Sequence, residues 1–409
     1  MTAKSRKNLR CITIFILIII IGLATSNAQS SKFLNVEILK EIKREYSSHE
    51  VMSTQLPFEV YNEDQAPQRK DSYWLRFTYI KTDPSKQFYL FRPFLLSQRL
   101  DLYYKLKGRL HHHETGLELP FDKRHLFLPN LYLPLPNTAD TTVCYLHVKS
   151  FYGYSFFFAE RDAPSLIKEE YNRASMEYFY IGLGFLSIIF SLLFYIYLKE
   201  KVYLYYSLFT MMLVLARMTF SGIIFNYING FYNLTSLDSI FNLYAISYAG
   251  INIALLLYFH EYFRFYERSK SYHRAIYSII AFRLLLLLFN DYIPANANVY
   301  ADIMIQCFLL VLAIRTSRKY FRQSLLTILS LAILIFGNLI VIYPDFNFTS
   351  ADFSYYVYLN LAGLEVVVFA IGLAYRNYFL KQEHEKAVAK TIEALRESES
   401  LKESANREL

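Results

Sequence analysis

The chain has 409 residues, of which 54% are hydrophobic, 18% aromatic and 19% charged. A hydrophobic share above the usual range, with a charged share below about a quarter, disfavours an ordinary soluble enzyme. The net charge of +8 does not indicate a nucleic-acid-binding protein, because half of the surplus lies in the first ten residues. No later segment has the one-sided basic composition that phosphate binding requires.

The first 28 residues have the layout of a secretory signal peptide. Four basic residues precede an apolar run at 11–24, and small residues at 26–28 offer a cleavage site. An uncleaved signal anchor is the alternative, although the run is shorter than the ~20 residues of a full membrane span. We therefore expect the segment that follows to be exported.

Residues 29–165 are predicted to form an all-β domain, a sandwich or jelly roll, followed by a linker at 166–176. Nine of the eleven prolines and the single tryptophan lie in this domain, and short strand-like runs separate the prolines. Residues 36–46 fit a helix or a strand equally well. The predicted strands are Tyr73–Ile80, Gln87–Phe91, Leu100–Leu106, Arg124–Leu128, Val143–Lys149 and Ser155–Ala159.

Five residues of this domain are candidates for binding a ligand, because aromatic rings can stack on a sugar and arginines can donate hydrogen bonds to it. Trp74 and Arg76 share a face of their predicted strand, so one of them could be buried while the other lies at a rim. Core packing is the more common role of such a tryptophan. The candidates are Trp74, Arg76, Arg92, Tyr103 and Tyr104.

The run of three histidines and Glu114 at 111–114 raises the question of a metal site. Alternate residues of a strand face the same way, and imidazole is a common zinc ligand. Consecutive histidines between Gly108 and Gly116 more often form an exposed hairpin. We therefore predict no metal and no cofactor.

From Glu177 onward, long apolar stretches alternate with short polar links. Each stretch has about 16–23 residues, close to what a helix needs to cross ~30 Å of hydrocarbon. The pattern predicts a seven-helix transmembrane bundle over 177–375. The predicted spans are 177–198, 202–224, 238–260, 275–293, 299–314, 323–343 and 353–375.

The charges of the links predict the orientation of this bundle. The links after spans two, four and six contain no Lys or Arg, whereas the links after spans one, three and five each carry two or more. Positively charged loops stay in the cytoplasm during insertion. We therefore expect a multi-pass protein of the bacterial inner membrane, with the exported domain outside and the C-terminus in the cytoplasm.

Three ionisable residues lie well inside the predicted spans, away from their ends, where charged side chains usually face the interior of a bundle and pair. Arg283 and Glu365 lie at similar depth, so we predict an ion pair between spans four and seven. Arg217 lies nearer the outer surface, at about the level of Asn360. The alternative is that each arginine snorkels or binds a backbone carbonyl as a packing element.

The tail at 376–409 is rich in helix-forming residues. Val388, Ile392 and Leu395 fit the apolar positions of a coiled coil, but the next heptad is polar. A parallel homodimer and a solvated single helix are both consistent with this pattern.

Several segments carry a resemblance to one family. The first span and its link, YIGLGFLSIIFSLLFYIYLKEKVYLYYSLF, and the last span, LAGLEVVVFAIGLAYRNYFLKQE with Gly363, Glu365 and Arg376, resemble the opening and closing segments of the bacterial seven-transmembrane receptors with diverse intracellular signalling modules. The exported stretches DSYWLRFTY, LDLYY and TGLELPFDKR resemble that family's second type of extracellular domain.

The resemblance implies a jelly-roll sensor domain for carbohydrates or related small molecules, coupled through the bundle to a cytoplasmic effector. No kinase core is recognisable in the sequence, so we expect an effector in trans or a chain truncated after its linker. The expected function is a non-enzymatic receptor whose partners are an external ligand, the bilayer, the effector and a second copy.

Two other functions are weighed against this one. A transporter with a periplasmic binding domain is disfavoured, because no internal repeat is visible and prolines are absent from the span centres. A membrane-bound enzyme acting on glycans would need an acid/base pair on an outward loop, and the sequence shows none.

Overall fold

The computed structural model describes residues 33–41, 45–61, 72–81, 83, 85–92, 97–116, 119, 123–126, 128, 130–138, 140–150, 159–221, 223–224, 237–264, 270–289, 295–342 and 351–408. The predicted signal peptide at 1–28 lies outside these residues. An N-terminal domain rich in β-sheet is followed by a helical part.

The N-terminal domain contains two antiparallel sheets within the described residues. The larger sheet has the strand order β2-β1-β3-β8-β5-β6, and the smaller has the order β7-β4-β9. A short helix, α1 (Ser48–Ser53), follows β1. The strands are β1 (Phe33–Lys40), β2 (Glu59–Val60), β3 (Ser72–Tyr79), β4 (Phe88–Arg92), β5 (Ser97–Leu106), β6 (Arg109–Thr115), β7 (Leu131–Pro134), β8 (Thr142–Ser150) and β9 (Ala159–Asp162).

Alternate side chains of the central strands point to the same face, and those on one face form the core of this domain. Tyr73, Leu75 and Phe77 of β3 face the same way as Leu146 of β8, and all are buried together with Leu133 of the smaller sheet. Removing this apolar surface from water is the main favourable term in folding. The core therefore lies between the two sheets and leaves the other face of the larger sheet for different contacts.

Four predicted strands match β3, β4, β5 and β8 closely, and the ambiguous segment at 36–46 contains the end of β1. The predicted strand Arg124–Leu128 is wrong, because its described residues form no strand. The Arg124 side chain is buried and donates from Nε to the carbonyl of Leu119, 3.3 Å away, as expected of a packed loop. The predicted strand Ser155–Ala159 lies outside the described residues except for its last residue.

Six further helices have their bounds within the described residues. Four segments of the described chain are long and apolar enough to cross a membrane: Ala163–Leu198, Lys201–Thr219, Asn242–Tyr262 and Lys270–Leu288. A shorter apolar helical segment covers Leu325–Leu339. The helices are α2 (Ala163–Leu198), α3 (Lys201–Phe220), α4 (Leu237–Tyr262), α5 (Lys270–Leu288), α6 (Ala295–Ile342) and α7 (Ala351–Glu408).

Helix α6 must fold back on itself. Asn338 Nδ2 donates a hydrogen bond to Gln306 Oε1 at 2.9 Å. A straight helix would separate these residues by about 48 Å at ~1.5 Å per residue. The helical run therefore contains two antiparallel segments that lie side by side.

The predicted linker at 166–176 is helical and belongs to α2. Asp162 occupies the N-cap position and Pro164 lies in the first turn, where its missing N–H costs no hydrogen bond. Leu166 packs against Tyr89 and Tyr132 of the smaller sheet. The N-terminal domain thus continues without a break into the first membrane helix.

Candidate functional site

The outer face of the larger sheet, defined as the face opposite the core, carries a group of aromatic and charged side chains. Strand register places Trp74 beside His147, and His147 beside Asp101. Tyr103 lies beside His112 on the next strand pair. Because alternate residues of neighbouring strands face the same side, all five lie on the outer face.

Trp74 is 2% exposed and belongs to the packing of this face. Its indole stacks on the His147 ring at a centroid distance of 4.5 Å, and Nε1 donates to Glu41 Oε1 at 2.9 Å. Leu39 of β1 and Val51 of α1 pack against the same ring. The Trp74 ring is therefore covered by the chain itself.

Glu41 is a buried carboxylate beneath these rings. Its burial raises its pKa, but the opposing hydrogen bonds from His147, Ser72 and the Tyr46 backbone lower it more strongly, to about 2. The His147 Nε2 atom lies 3.1 Å from Glu41 Oε2. The carboxylate is held ionised at the centre of the face.

The accessible part of the outer face is a polar rim. The Tyr103 and His112 rings stack at 4.4 Å, and His112 Nε2 lies 2.9 Å from Asp101 Oδ1. Arg99 bridges Asp101 and Glu114, with N···O distances of 2.9 and 2.8 Å. The rim offers aromatic surface, hydrogen-bond donors and acceptors side by side.

The ligand atoms of Asp101, His112 and Glu114 all lie within 4.8 Å of one another, as a metal site would require. The Arg99 guanidinium already contacts both carboxylates. A metal ion would have to displace this internal cation. The arrangement is a charge-compensated cluster as it stands.

The five predicted ligand residues are not all brought together. Trp74, Arg76 and Tyr103 share the outer face, where Arg76 forms an ion pair with Glu37 and lies 4.5 Å from the centre of the Phe58 ring. Tyr104 points to the core, and its hydroxyl lies 3.1 Å from His113 Nε2.

Arg92 ends β4 of the smaller sheet, and its side chain lies outside the described residues. Glu41, Asp101 and His147 could not be predicted from the sequence. Strand register brings His147 beside Trp74 and Asp101 beside His147, and Glu41 reaches the Trp74 indole from just after β1.

A second group of polar residues joins the smaller sheet to α2. Tyr132 and Asn130 both donate to Glu170 Oε1, and Arg173 Nη2 lies 2.7 Å from Glu170 Oε2. All four residues are buried. Burial raises the pKa of the Tyr132 hydroxyl, and the Glu170 charge raises it further, so this hydroxyl stays a hydrogen-bond donor.

Charged residues continue this group into the bundle. Glu177 lies within electrostatic range of Arg173, one turn earlier on α2, and of Arg217 on α3, and Glu365 of α7 lies within range of the same Arg217. Glu365 is 1% exposed, and its Oε1 atom has no hydrogen-bond partner among the described residues. We call the series Glu170, Arg173, Glu177, Arg217 and Glu365 the charged path.

The predicted ion pair between Arg283 and Glu365 is wrong, because Arg283 Nη2 lies 3.0 Å from Asp302 Oδ1 and both side chains are buried. Arg283 lies a few residues before the end of α5, and Asp302 lies a similar number of residues after the start of α6. Consecutive antiparallel helices place such residues at one level. Glu365 interacts with Arg217 instead, and the Asn360 side chain lies outside the described residues.

Two contacts fix α7 against the other helices. The Tyr206 hydroxyl of α3 lies 2.9 Å from Ser187 Oγ of α2 and donates to the Val366 carbonyl of α7 at 3.1 Å. Nearer the tail, Arg376 pairs with Glu200 at 2.7 Å. Helix α7 is thus bonded at two levels, one of them next to Glu365.

Comparisons with known proteins agree with this architecture. The family described as 7TMR-DISM extracellular 2 matches residues 35–156, and the family described as 7TM diverse intracellular signalling matches residues 173–376. Comparison with curated proteins gives no significant match. The expected resemblance is confirmed on both parts of the chain. The protein is a transmembrane signalling receptor with an extracellular N-terminal domain, and it belongs to the family of seven-transmembrane receptors with diverse intracellular signalling modules.

Proposed function

We propose that the receptor binds an external ligand on its N-terminal domain and passes a change in helix packing through α2 and α7 to the tail, without catalysing a reaction. The observation that carries this proposal is the charged path, which leads from the smaller sheet to Glu365 on the same helix as the tail. A buried carboxylate that loses its cation costs several kcal/mol. That is enough to shift a two-state equilibrium with a gap of a few kcal/mol.

The proposed topology has seven crossings, with α6 supplying two because it folds back. An odd number places the tail on the side opposite the N-terminal domain, which we assign to the cytoplasm of a bacterial inner membrane. A reporter that is active only in the cytoplasm should work when fused after Leu409. The same reporter fused at Asp345 should be inactive, and the reverse pattern would contradict the topology.

The proposed ligand is a carbohydrate or related polyhydroxyl molecule at the rim of the outer face, on a jelly-roll domain. Tyr103 and His112 supply stacking faces, while Asp101 and Arg99 supply acceptors and donors. Tyr103→Ala should weaken binding of soluble glycans to the intact receptor at least tenfold. Leu110→Ala, an exposed site on the neighbouring β6, should leave it unchanged. Equal affinities of the two variants for glycans would show that the rim is not the binding site.

The tail is the proposed output and pairs with the tail of a second copy before engaging an effector. Val388, Ile392 and Leu395 are 43%, 46% and 59% exposed and lie on one side of α7. Exposed apolar residues at this spacing fit a weak coiled-coil seam. Because weak seams have packings of similar energy, a small shift of α7 can select between them.

Disulfide cross-linking tests this output. Single cysteines at Val388, Ile392 and Leu395, in a background without native cysteines, should cross-link between copies, and Glu365→Gln should change the pattern. Glu393→Gln, an exposed carboxylate on the tail, should not change it. No cross-link at any position, or one unaffected by Glu365→Gln, would contradict the coupling.

A further inference from the structure

Helices α2 and α7 touch near Gly363 and leave a groove between them on the tail side of this contact. The Tyr180 ring of α2 lies against Gly363 of α7, where a side-chain Cβ would collide with it. From this contact toward the tail, a cavity of about 580 Å³ separates the helices, and Tyr206 of α3 lines its floor. The walls include Leu186, Phe190 and Phe194 of α2 and Val367, Ile371 and Ala374 of α7.

The groove has the length and polarity of a lipid acyl chain. Its lining runs from Leu183 to Phe194 on α2 and from Val366 to Asn377 on α7. Each stretch is about 16 Å long at ~1.5 Å per residue, or about half of the ~30 Å hydrocarbon layer. Phe190 and Ile371 on its walls are half exposed, so the groove opens sideways to the bilayer.

The tail-side end of the groove is positively charged. Lys199 and Lys201 are exposed and flank Glu200 on the turn between α2 and α3. Glu200 is paired with Arg376, the residue before Asn377, which lines this end of the groove. Since Arg376 already compensates Glu200, the two lysines are available to an external anion.

We propose that this groove binds one acyl chain of an anionic phospholipid, with the phosphate group at Lys199 and Lys201. The lipid comes from the leaflet in which these lysines lie, and naming it the cytoplasmic leaflet rests on the proposed topology. Because α7 forms one wall, the bound chain holds the tail-side half of α7 at a fixed distance from α2. The receptor's output helix thereby becomes sensitive to the lipid composition of that leaflet.

Quenching by brominated lipids tests the site without reference to sidedness or signalling. The only native tryptophan, Trp74, lies in the N-terminal domain, so the wild-type receptor in nanodiscs supplies the background signal. Leu186→Trp places a reporter in the groove, and Leu284→Trp places one on the lipid-facing helix α5. Brominated phosphatidylglycerol should quench the groove reporter at about tenfold lower mole fraction than brominated phosphatidylcholine, whereas the α5 reporter should not distinguish them.

Substitution of the lysines supplies the matched control. Removing one positive charge near a lipid surface weakens binding of an anionic lipid about fivefold. Lys199→Gln and Lys201→Gln should each reduce the headgroup preference by that factor, and Lys270→Gln, an exposed lysine at the start of α5, should not. Equal quenching of the groove reporter by both lipids, or a preference that survives both substitutions, would overturn the proposal. A groove reporter that neither lipid quenches would overturn it as well, because a second copy would then cover the groove.

Discussion

Two buried carboxylates determine the character of the outer face at the scale of single residues. Glu41 is held by the Trp74 indole and the His147 imidazole, and Asp101 by Arg99 and His112. A buried charge is tolerated when it is paired and hydrogen-bonded. The buried charges of this face are therefore compensated by the chain itself, and only the rim is open to an external molecule.

Replacement of Glu41 should change how stability depends on pH. The folded pKa of about 2 lies below the ordinary value of 4.5, so the ionised carboxylate adds stability that is complete above pH 4.5 and is lost as the pH falls toward 2. The contribution is about 3 kcal/mol at ~1.4 kcal/mol per pKa unit. In urea unfolding of the N-terminal fragment 29–176, the difference between wild type and Glu41→Gln should shrink by about this amount from pH 5 to pH 2.

The exposed Glu59 on β2 supplies the control for this experiment. The difference between wild type and Glu59→Gln should stay nearly constant over the same pH range. A constant difference for Glu41→Gln as well would mean that its carboxylate is not held ionised by the fold.

Two glycines of the bundle should respond in opposite ways to the same added methyl group. Gly363→Ala forces its Cβ into the Tyr180 ring, whereas Gly182→Ala meets no atom within 4 Å. Overpacking typically costs about 1–3 kcal/mol, and Gly to Ala in a helix gains up to about 1 kcal/mol. We expect a lower thermal midpoint for Gly363→Ala and an equal or higher one for Gly182→Ala, by circular dichroism in detergent.

The double variant Tyr180→Ala, Gly363→Ala separates this clash from a general loss of stability. Removal of the ring should make the alanine at 363 nearly neutral relative to Tyr180→Ala alone. If Gly363→Ala costs as much without the ring as with it, the contact of α2 with α7 at this point is not the cause.

At the scale of elements, α2 belongs to both parts of the molecule. Its first turns pack on the smaller sheet through Leu166 and Glu170, and its later turns contact α3 and α7. A fragment cut at 165 loses Leu166 and leaves the buried Tyr132 and Asn130 without their acceptor. We therefore place the end of the folding unit within α2.

Adjacent residues at the start of α2 should differ sharply in their importance. Leu166 is 1% exposed and Ile167 is 60% exposed. Leu166→Ala should destabilise the fragment 29–176 by about 2–4 kcal/mol, and Ile167→Ala by less than about 0.5 kcal/mol. Urea unfolding measures both, and equal losses would contradict the docking of α2 on the sheet.

The sequence identified the elements whose own pattern is strong. Alternating polarity located β3 and β8, and hydropathy located the helices α3 and α4. The start of α2 at Ala163 could not be predicted, because the first turns of this helix are polar and hydropathy detects only its apolar part. The strand predicted at Arg124–Leu128 rests on the apolar residues at 126–128, whereas the structure has Arg124 buried in a loop.

Polarity patterns within one element do not predict contacts between elements that are distant in the sequence. Trp74, Arg76 and Tyr103 could be named as a candidate site from residue type and strand alternation. Glu41 and His147 could not, because His147 enters through cross-strand register and Glu41 through a hydrogen bond from just after the end of β1. The partner of Arg283 was misassigned for a similar reason, since depth along two helices does not say which helices are neighbours.

The whole molecule combines a polar outer face on the larger sheet, a helix shared by both domains and a long helix, α7, that continues into the tail. Ile224, after α3, packs into the core cluster of the N-terminal domain, so this domain also contacts the bundle directly. The charged path runs through this junction and ends on α7, which continues to Glu408. A rigid helix can carry a displacement at Glu365 past the membrane boundary into the tail.

We propose that the junction of the smaller sheet with α2 controls the arrangement of the tails. Dipolar electron spin resonance tests this control through the distance between spin labels at Lys390 in two copies of the receptor. Glu170→Gln removes the charge that holds Tyr132 and Arg173 and should shift the distance distribution between the tails. Lys168→Gln, an exposed charge two residues away, should leave it as in wild type. A distribution that Glu170→Gln does not change, or no measurable distance between the tails, would contradict this control of the tails by the junction.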